Sequence, residues 1–210
     1  MGVKKLATAH QANDQAETFL MHWIQGSGLK GLSGIPISRD YVYQQKHFTL
    51  LRPLILATRE EILSYAQKEK LKFFKDPSNT DQKYLRTRLR RLVGQLEKEN
   101  LNFIERTAKN ALLLQADESF LNEKVEELFY EGVDIVGGQW QCPFVFFQEV
   151  PRSLQYRLLQ KIIHEISGEA LSFDRIVAML RFLETKDSEK AFSLSGLSLR
   201  KEKTHFYFSK

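Results

Sequence analysis

Short apolar runs alternate along the chain with segments whose apolar positions recur every three or four residues, a pattern that predicts strands followed by amphipathic helices. Lys4 to Ala9 reads as a short strand. From Asn13 or Asp14 to Gln25, Phe19, Leu20, Trp23 and Ile24 fall at helical spacing, and Gly26 stands where a helix C-cap belongs. Residues 48 to 56 read as a second, buried strand with Pro53 at its end or at a bulge. Thr58 and Glu61 have capping-box spacing and open a helix through Lys70 that turns Ile62, Tyr65 and Ala66 inward.

Lys75 to Asp81 is a loop by its turn residues. After it Leu85, Leu89, Leu92 and Leu96 form the stripe of an amphipathic helix, and a second helical run covers about 101 to 131. Gly137-Gly138 predicts a hairpin over roughly 133 to 147. Helices over about 151 to 167 and 172 to 184 follow, with Pro151 in a first turn and Ser172 as N-cap. Residues 191 to 208 alternate in strand fashion around Gly196. Strand and helix thus alternate up to the segment near residues 90 to 98, and helices dominate after it.

Composition narrows the class. With 210 residues and 42% hydrophobic content the chain can bury a core, and Cys142 as the sole cysteine excludes an internal disulfide or a thiolate-rich metal site. Cys142 is expected to be a small core residue beside Trp140. No apolar stretch approaches the roughly 20 residues of a spanning helix, and no signal-peptide order is seen at the start, so a cytoplasmic protein without membrane contact is expected. The formal charge of +5 is a mild bias toward polyanionic partners.

Three places carry candidate chemistry. His10, Asp14 and Glu17 lie at a strand-to-helix turn, where open α/β sheets bind substrates, and the two acids are three residues apart, on one helix face. The same D-x-x-E spacing is also how a helix caps itself, and His10 alone can be a strand-end residue. The loop Gly26-Ser-Gly28-Leu-Lys30-Gly-Leu-Ser-Gly34 either cradles an anion on backbone N–H groups, with Lys30 adding charge, or is a flexible connector. Arg86, Arg88, Arg90 and Arg91 ring the apolar stripe; they form a solvated face or a phosphate-contacting surface.

The joint order of these motifs resembles the tRNA(Ile)-lysidine synthetases, an ATP-dependent RNA-modifying family. The matching residues are H-x-A-x-D-Q-A-E-T at His10 to Thr18, G-S-G-L-x-G-L-x-G-x-P at Gly26 to Pro36 and R-P-L at Arg52 to Leu54. R-E-E-I at Arg59 to Ile62, D-P-S-N at Asp76 to Asn79 and R-x-R-x-R at Arg86 to Arg90 continue the series. The part after residue 150 is similar to the family's central RNA-contacting domain by weaker patterns.

The resemblance implies an α/β fold: residues 1–95 as the C-terminal part of an incomplete Rossmann-like parallel sheet of the ATP-pyrophosphatase type, and 96–210 as a mainly helical tRNA-binding domain with a short C-terminal β element. It implies that ATP, with Mg2+ and no protein metal site, adenylates the wobble cytidine of tRNA(Ile) with a CAU anticodon, and that free L-lysine then displaces AMP. Asp14 and Glu17 would recognise lysine and act as base, with His10 lining the nucleotide or cytidine side. Gly26, Gly28, Lys30 and Arg86 would serve the nucleotide, and Arg86, Arg88, Arg90 and Arg91 the RNA. A homodimer is compatible with the resemblance.

One departure stands out: the family's S-G-G-x-D-S phosphate loop does not occur in this sequence. The expectation is a fragment of such an enzyme that binds ATP poorly, for want of backbone donors to the pyrophosphate. Asn13 and Thr87 stand where the family commonly has Asp and Asn. Other readings are a non-catalytic tRNA-binding module or remnant, a tRNA-thiolating relative, disfavoured by the single cysteine, and a purely structural α/β domain.

Overall fold

The structure, a computed structural model, describes residues 4–74, 85–185, 191–194 and 196–209. The expected loop at 75–81 and the D-P-S-N motif lie outside the described residues. The chain forms two compact units, Met1–Glu118 and Ser119–Lys210. It is a mixed α/β chain, and among the described residues no helix is long and apolar enough to cross a membrane.

In the first unit, β1 (Lys5–Ala7) runs parallel to β3 (Lys46–Leu51), with Lys5 opposite Thr49 and Ala7 opposite Leu51. Between them in sequence come α1 (Ala12–Ile24), the single-turn α2 (Leu29–Leu32) and β2 (Ser38–Tyr43). The sheet order is β1-β3-β2. β2 pairs antiparallel with β3 through a tight turn in which Gln44 and Gln45 both take positive φ, the geometry of a two-residue hairpin. Only part of the sheet is therefore parallel, because a two-residue turn can join only antiparallel neighbours. β2 carries no apolar run, and its burial is almost wholly exposed, so hydrophobic patterning did not reveal it.

The strand expected over 48 to 56 ends at Leu51; Pro53 lacks the N–H to continue the ladder, and residues 53–56 turn instead. α3 (Arg59–Lys68) opens on the expected capping box, with Glu61 N–H donating to Thr58 Oγ1 at 3.2 Å and Thr58 N–H to Glu61 Oε2 at 2.7 Å. The bonds that Thr58 donates to Glu61 Oε2 from its N–H and, at 2.9 Å, from its hydroxyl hold the Glu61 carboxyl below its ordinary pKa.

α4 (Leu85–Glu99) packs on α1. The core between them is Ala12, Ala16 and Leu20 against Leu89 and Val93, with Ile104 and Ala108 from α5 (Phe103–Gly132). The small alanines let the helices approach closely, and this decides which face turns in. Trp23 and Ile24 of α1 consequently point to solvent, each more than 60% exposed, and Tyr65 of α3 is equally exposed on a helix with no fully buried residue. On α4 the buried pair is Leu89 and Val93, while Leu85 and Leu92 lie at the edge of the stripe.

The second unit is built on a five-stranded antiparallel sheet of order β4-β5-β8-β7-β6. The strands are β4 (Asp134–Val136), β5 (Gln139–Pro143), β6 (Ala191–Leu194), β7 (Leu197–Lys201) and β8 (His205–Ser209). The predicted hairpin and the closing strands thus belong to one sheet, joined where Cys142 faces Phe206 across β5 and β8. The hairpin stops at Pro143, and Phe144–Glu149 forms a short helix, α6, that the alternation did not predict. α7 (Arg152–Ser167) and α8 (Phe173–Glu184) follow as expected, with Pro151 in the N-cap position.

Leu158, Leu159, Ile162 and Ile163 of α7 are fully buried with Ile176, Met179, Leu180 and Leu183 of α8 and Phe206 and Phe208 of β8. Each such side chain contributes about 1.5–3 kcal/mol, which makes this the main core of the unit. Cys142 lies in it, and burial pushes its thiol up to about 12.

Candidate active site

The parallel strands deliver the chain to one edge of the first unit. After β1 the backbone leaves the sheet at Thr8, whose N–H donates to Leu51 O at 2.9 Å, and Thr8 Oγ1 lies 2.8 Å from His10 Nδ1. α1 begins at once, with Gln11 as N-cap; Asp14 accepts the Gln11 N–H at 3.0 Å through Oδ2. The helix thus starts at Ala12, one or two residues before the expected Asn13 or Asp14. Asp14 is the third residue of the helix, not its cap, and Glu17 lies a turn further along, where no free backbone donor exists. The self-capping reading therefore accounts for one Asp14 oxygen and not for Glu17.

Glu17 is 3% exposed, and it is compensated by two arginines from α4. Arg90 Nε donates to Glu17 Oε1 at 2.8 Å, and Arg86 Nε to Oε2 at 3.3 Å. Arg86 also reaches the remaining Asp14 oxygen, Nη2 to Oδ1, at 3.1 Å. Two carboxylates and two guanidiniums form one nearly neutral cluster. A carboxylate this buried would cost several kcal/mol if left alone, so the arginines are the condition for its being there. The hydrogen bond to Glu17 raises the pKa of Arg90 above its ordinary value.

Neighbouring residues fix α1 in place. Gln15, fully buried, holds the end of the glycine-rich loop by a two-bond clamp: Nε2 donates to Ile35 O at 2.8 Å and Oε1 accepts Ile35 N–H at 2.7 Å. Gln115 Nε2 adds bonds to Ser33 O at 2.8 Å and Ile35 O at 3.0 Å. Asn13 Oδ1 accepts the Arg59 N–H at 2.8 Å, so it joins α1 to the otherwise unsatisfied first turn of α3. Arg52, directly after β3, is buried and donates Nη1 to Pro36 O at 2.8 Å.

Comparison with known proteins supplies a family. A profile described as a PP-loop domain matches residues 1–97. The tRNA(Ile)-lysidine synthase of Geobacter sulfurreducens is 36% identical over 87% of this chain and 38% of its own length. That of Wolbachia pipientis is 32% identical over 95% of this chain and 46% of its own length. In Anaplasma marginale the synthase of the same name is 47% identical over a shorter stretch, 44% of this chain and 19% of the relative. The chain belongs to the tRNA(Ile)-lysidine synthase family. It spans less than half the length of these relatives.

Within this synthase-family chain the structure brings together Asp14, Glu17, Arg86 and Arg90. His10 stands at the start of the same helix, bonded to Thr8. Arg88 and Arg91 are exposed on α4, on the flanks that face away from the acids. Gly26, Gly28 and Lys30 lie beyond the far end of α1, which at ~1.5 Å rise per residue puts them well over 10 Å along the helix from Asp14. Gly26 takes φ +73° and donates its N–H to Trp23 O, Gly28 precedes α2, and Lys30 is exposed. The amides of Gly31, Leu32, Ser33 and Gly34 are all engaged within the loop itself.

Sequence reasoning missed Gln15 and Gln115 and gave Asn13 no role; these three residues hold the site without a charged signature. It also gave the acids and the arginines separate tasks. The only sequence signal for their meeting was the absence of any nearby acid on the arginine run.

Proposed function

We propose that this protein serves the ATP-dependent ligation of lysine to the wobble cytidine of tRNA(Ile), and that Asp14 and Glu17 form the amine-binding acid pair. In that reaction ATP activates the C2 oxygen of cytidine with release of pyrophosphate. The lysine ε-amine then attacks C2, and AMP leaves with that oxygen. Mg2+ would accompany the ATP phosphates; no protein ligand set for it is assigned. A compartment holding tRNA and ATP, the cytoplasm, follows from these substrates.

The chemistry needs acids at this place. A free lysine amine has a pKa of about 10.4, so at neutral pH it arrives protonated and cannot attack. Carboxylates fixed on one helix face can hold the cation and take its proton. The observation that carries the reading is Glu17: a glutamate at 3% exposure, directed by side chains 69 and 73 residues away, is held at a cost that helix capping does not explain. His10, at the mouth of the same turn, would face the nucleotide or the cytidine. Because Arg86 and Arg90 are committed to the acids, contact with tRNA phosphates falls to Arg88 and Arg91.

A second reading is a non-catalytic tRNA-binding module, favoured by one fact: both acids already have arginine partners and form a structural joint between α1 and α4. Labelled lysine and ATP, offered to tRNA(Ile) with a CAU anticodon, separate the two. The protein is to be isolated from cells through a tag at the C terminus of its gene. Incorporation that falls at least 100-fold in Glu17→Gln, with unchanged helicity, supports the ligase reading. Full incorporation in Glu17→Gln and Asp14→Asn overturns the acid-pair assignment; no incorporation by the parent protein overturns the ligase reading.

A further inference from the structure

The two arginines hold Glu17 in unequal ways. Arg90 makes the shorter bond, 2.8 Å, and its side chain is 35% exposed. Arg86 makes two longer ones, 3.3 Å to Glu17 and 3.1 Å to Asp14, and its side chain is 52% exposed. Arg86 also lies in the first turn of α4, Leu85–Glu99, which has no acidic residue there. A cation at a helix N-terminus opposes the macrodipole, and first turns open more readily than interiors. Arg86 has two acceptors where Arg90 has one, but its longer bonds, greater exposure and first-turn position make it the easier one to remove.

Its position has a further meaning. One guanidinium spans Asp14 Oδ1 and Glu17 Oε2, so the gap between these oxygens has the size and charge of a cation site. A primary ammonium, with three donors on one nitrogen, can satisfy the same two acceptors. Both cations cannot occupy the gap together.

We propose that Arg86 is a displaceable occupant of the amine site: the substrate ammonium takes its place between Asp14 and Glu17, while Arg90 stays on the other Glu17 oxygen as a positioning residue. The proposal rests on the acid-pair reading given above and adds an internal competitor to it. Arg86 sets how tightly the amine binds, and amine entry frees Arg86 toward solvent. Glu17 is never left uncompensated, because one cation is exchanged for another, and the net advantage held by a half-exposed arginine is that of a surface ion pair, roughly fivefold in amine affinity.

The test is calorimetric titration of L-lysine into this chain, without ATP or tRNA, and of norleucine, which keeps the α-amine but lacks the ε-amine, as control. Arg86→Gln is expected to bind L-lysine about fivefold more tightly than the parent, with no gain for norleucine. Arg90→Gln is expected to weaken lysine binding, because Glu17 then loses the bond that directs it. Arg86 is half exposed, so the variant should fold, and Arg86→Lys serves as a second variant that keeps the charge and should restore weak binding. Equal or weaker lysine affinity in Arg86→Gln, or no binding at millimolar lysine, overturns the displacement. Tighter binding in Arg86→Gln together with full ligation by Glu17→Gln would sink the catalytic reading and leave the displacement standing.

Discussion

Gly34→Ala should damage the site from a distance, without touching a charged residue. Gly34 has φ +67°, and a Cβ built on it would fall inside the contact radius of Gln15 Oε1. Alanine in the left-handed region costs about 1–2 kcal/mol. The buried Gln15 side chain has no room to give way without releasing its two bonds to Ile35, 2.7 and 2.8 Å long, each worth about 0.5–1.5 kcal/mol net. The expected loss is therefore about 2–5 kcal/mol, a large part of the stability of a domain this size. Urea unfolding followed by circular dichroism measures it as a lower midpoint at unchanged slope. The same substitution in a Gln15→Ala background should cost clearly less, since the two changes break the same clamp. A Gly34→Ala midpoint within error of the parent, or full additivity with Gln15→Ala, would refute the clamp.

Two further outcomes follow from the same geometry. Arg88→Ala and Arg91→Ala should each flatten the salt dependence of tRNA affinity by about one unit of slope, whereas Arg86→Ala and Arg90→Ala should change it little; filter binding across a salt series decides, and equal effects at all four would mean that the ion pairs with Asp14 and Glu17 open in the complex. Cys142, buried with its thiol pushed up to about 12 from an ordinary value of 9.0, stays protonated in the folded chain while the unfolded thiol ionises. Stability should therefore decline by up to about 1.4 kcal/mol per pH unit as pH climbs from about 9 toward 12, relative to Cys142→Ala, which lacks this slope; parallel pH profiles for the two proteins would contradict it.

Much of this chain was legible in its local pattern. Thr58 with Glu61, Gly26 after α1, the period of α7 and α8, and the Gly137-Gly138 hairpin are short-range features, and each is dictated by the geometry of one turn or one helix. The ordered motifs likewise pointed to the family that the relatives support. Local pattern was silent where a partner far along the chain decides. β2 is nearly all exposed and exists because β3 offers it a ladder. Trp23 fits an inward stripe by period alone, yet α1 packs through Ala12, Ala16 and Leu20 instead.

The site divides in the same way. That Asp14 and Glu17 share a face follows from the 3.6-residue repeat and needs nothing but sequence. That Arg86 and Arg90 lie across from them, with the arginine run split into an inward and an outward pair, is fixed only when α4 packs on α1 through Leu89 and Val93. Side-chain direction along a helix is a local property. Which charges meet is not, because it depends on how two separate apolar faces settle against each other, and the burial of Glu17 comes from that packing.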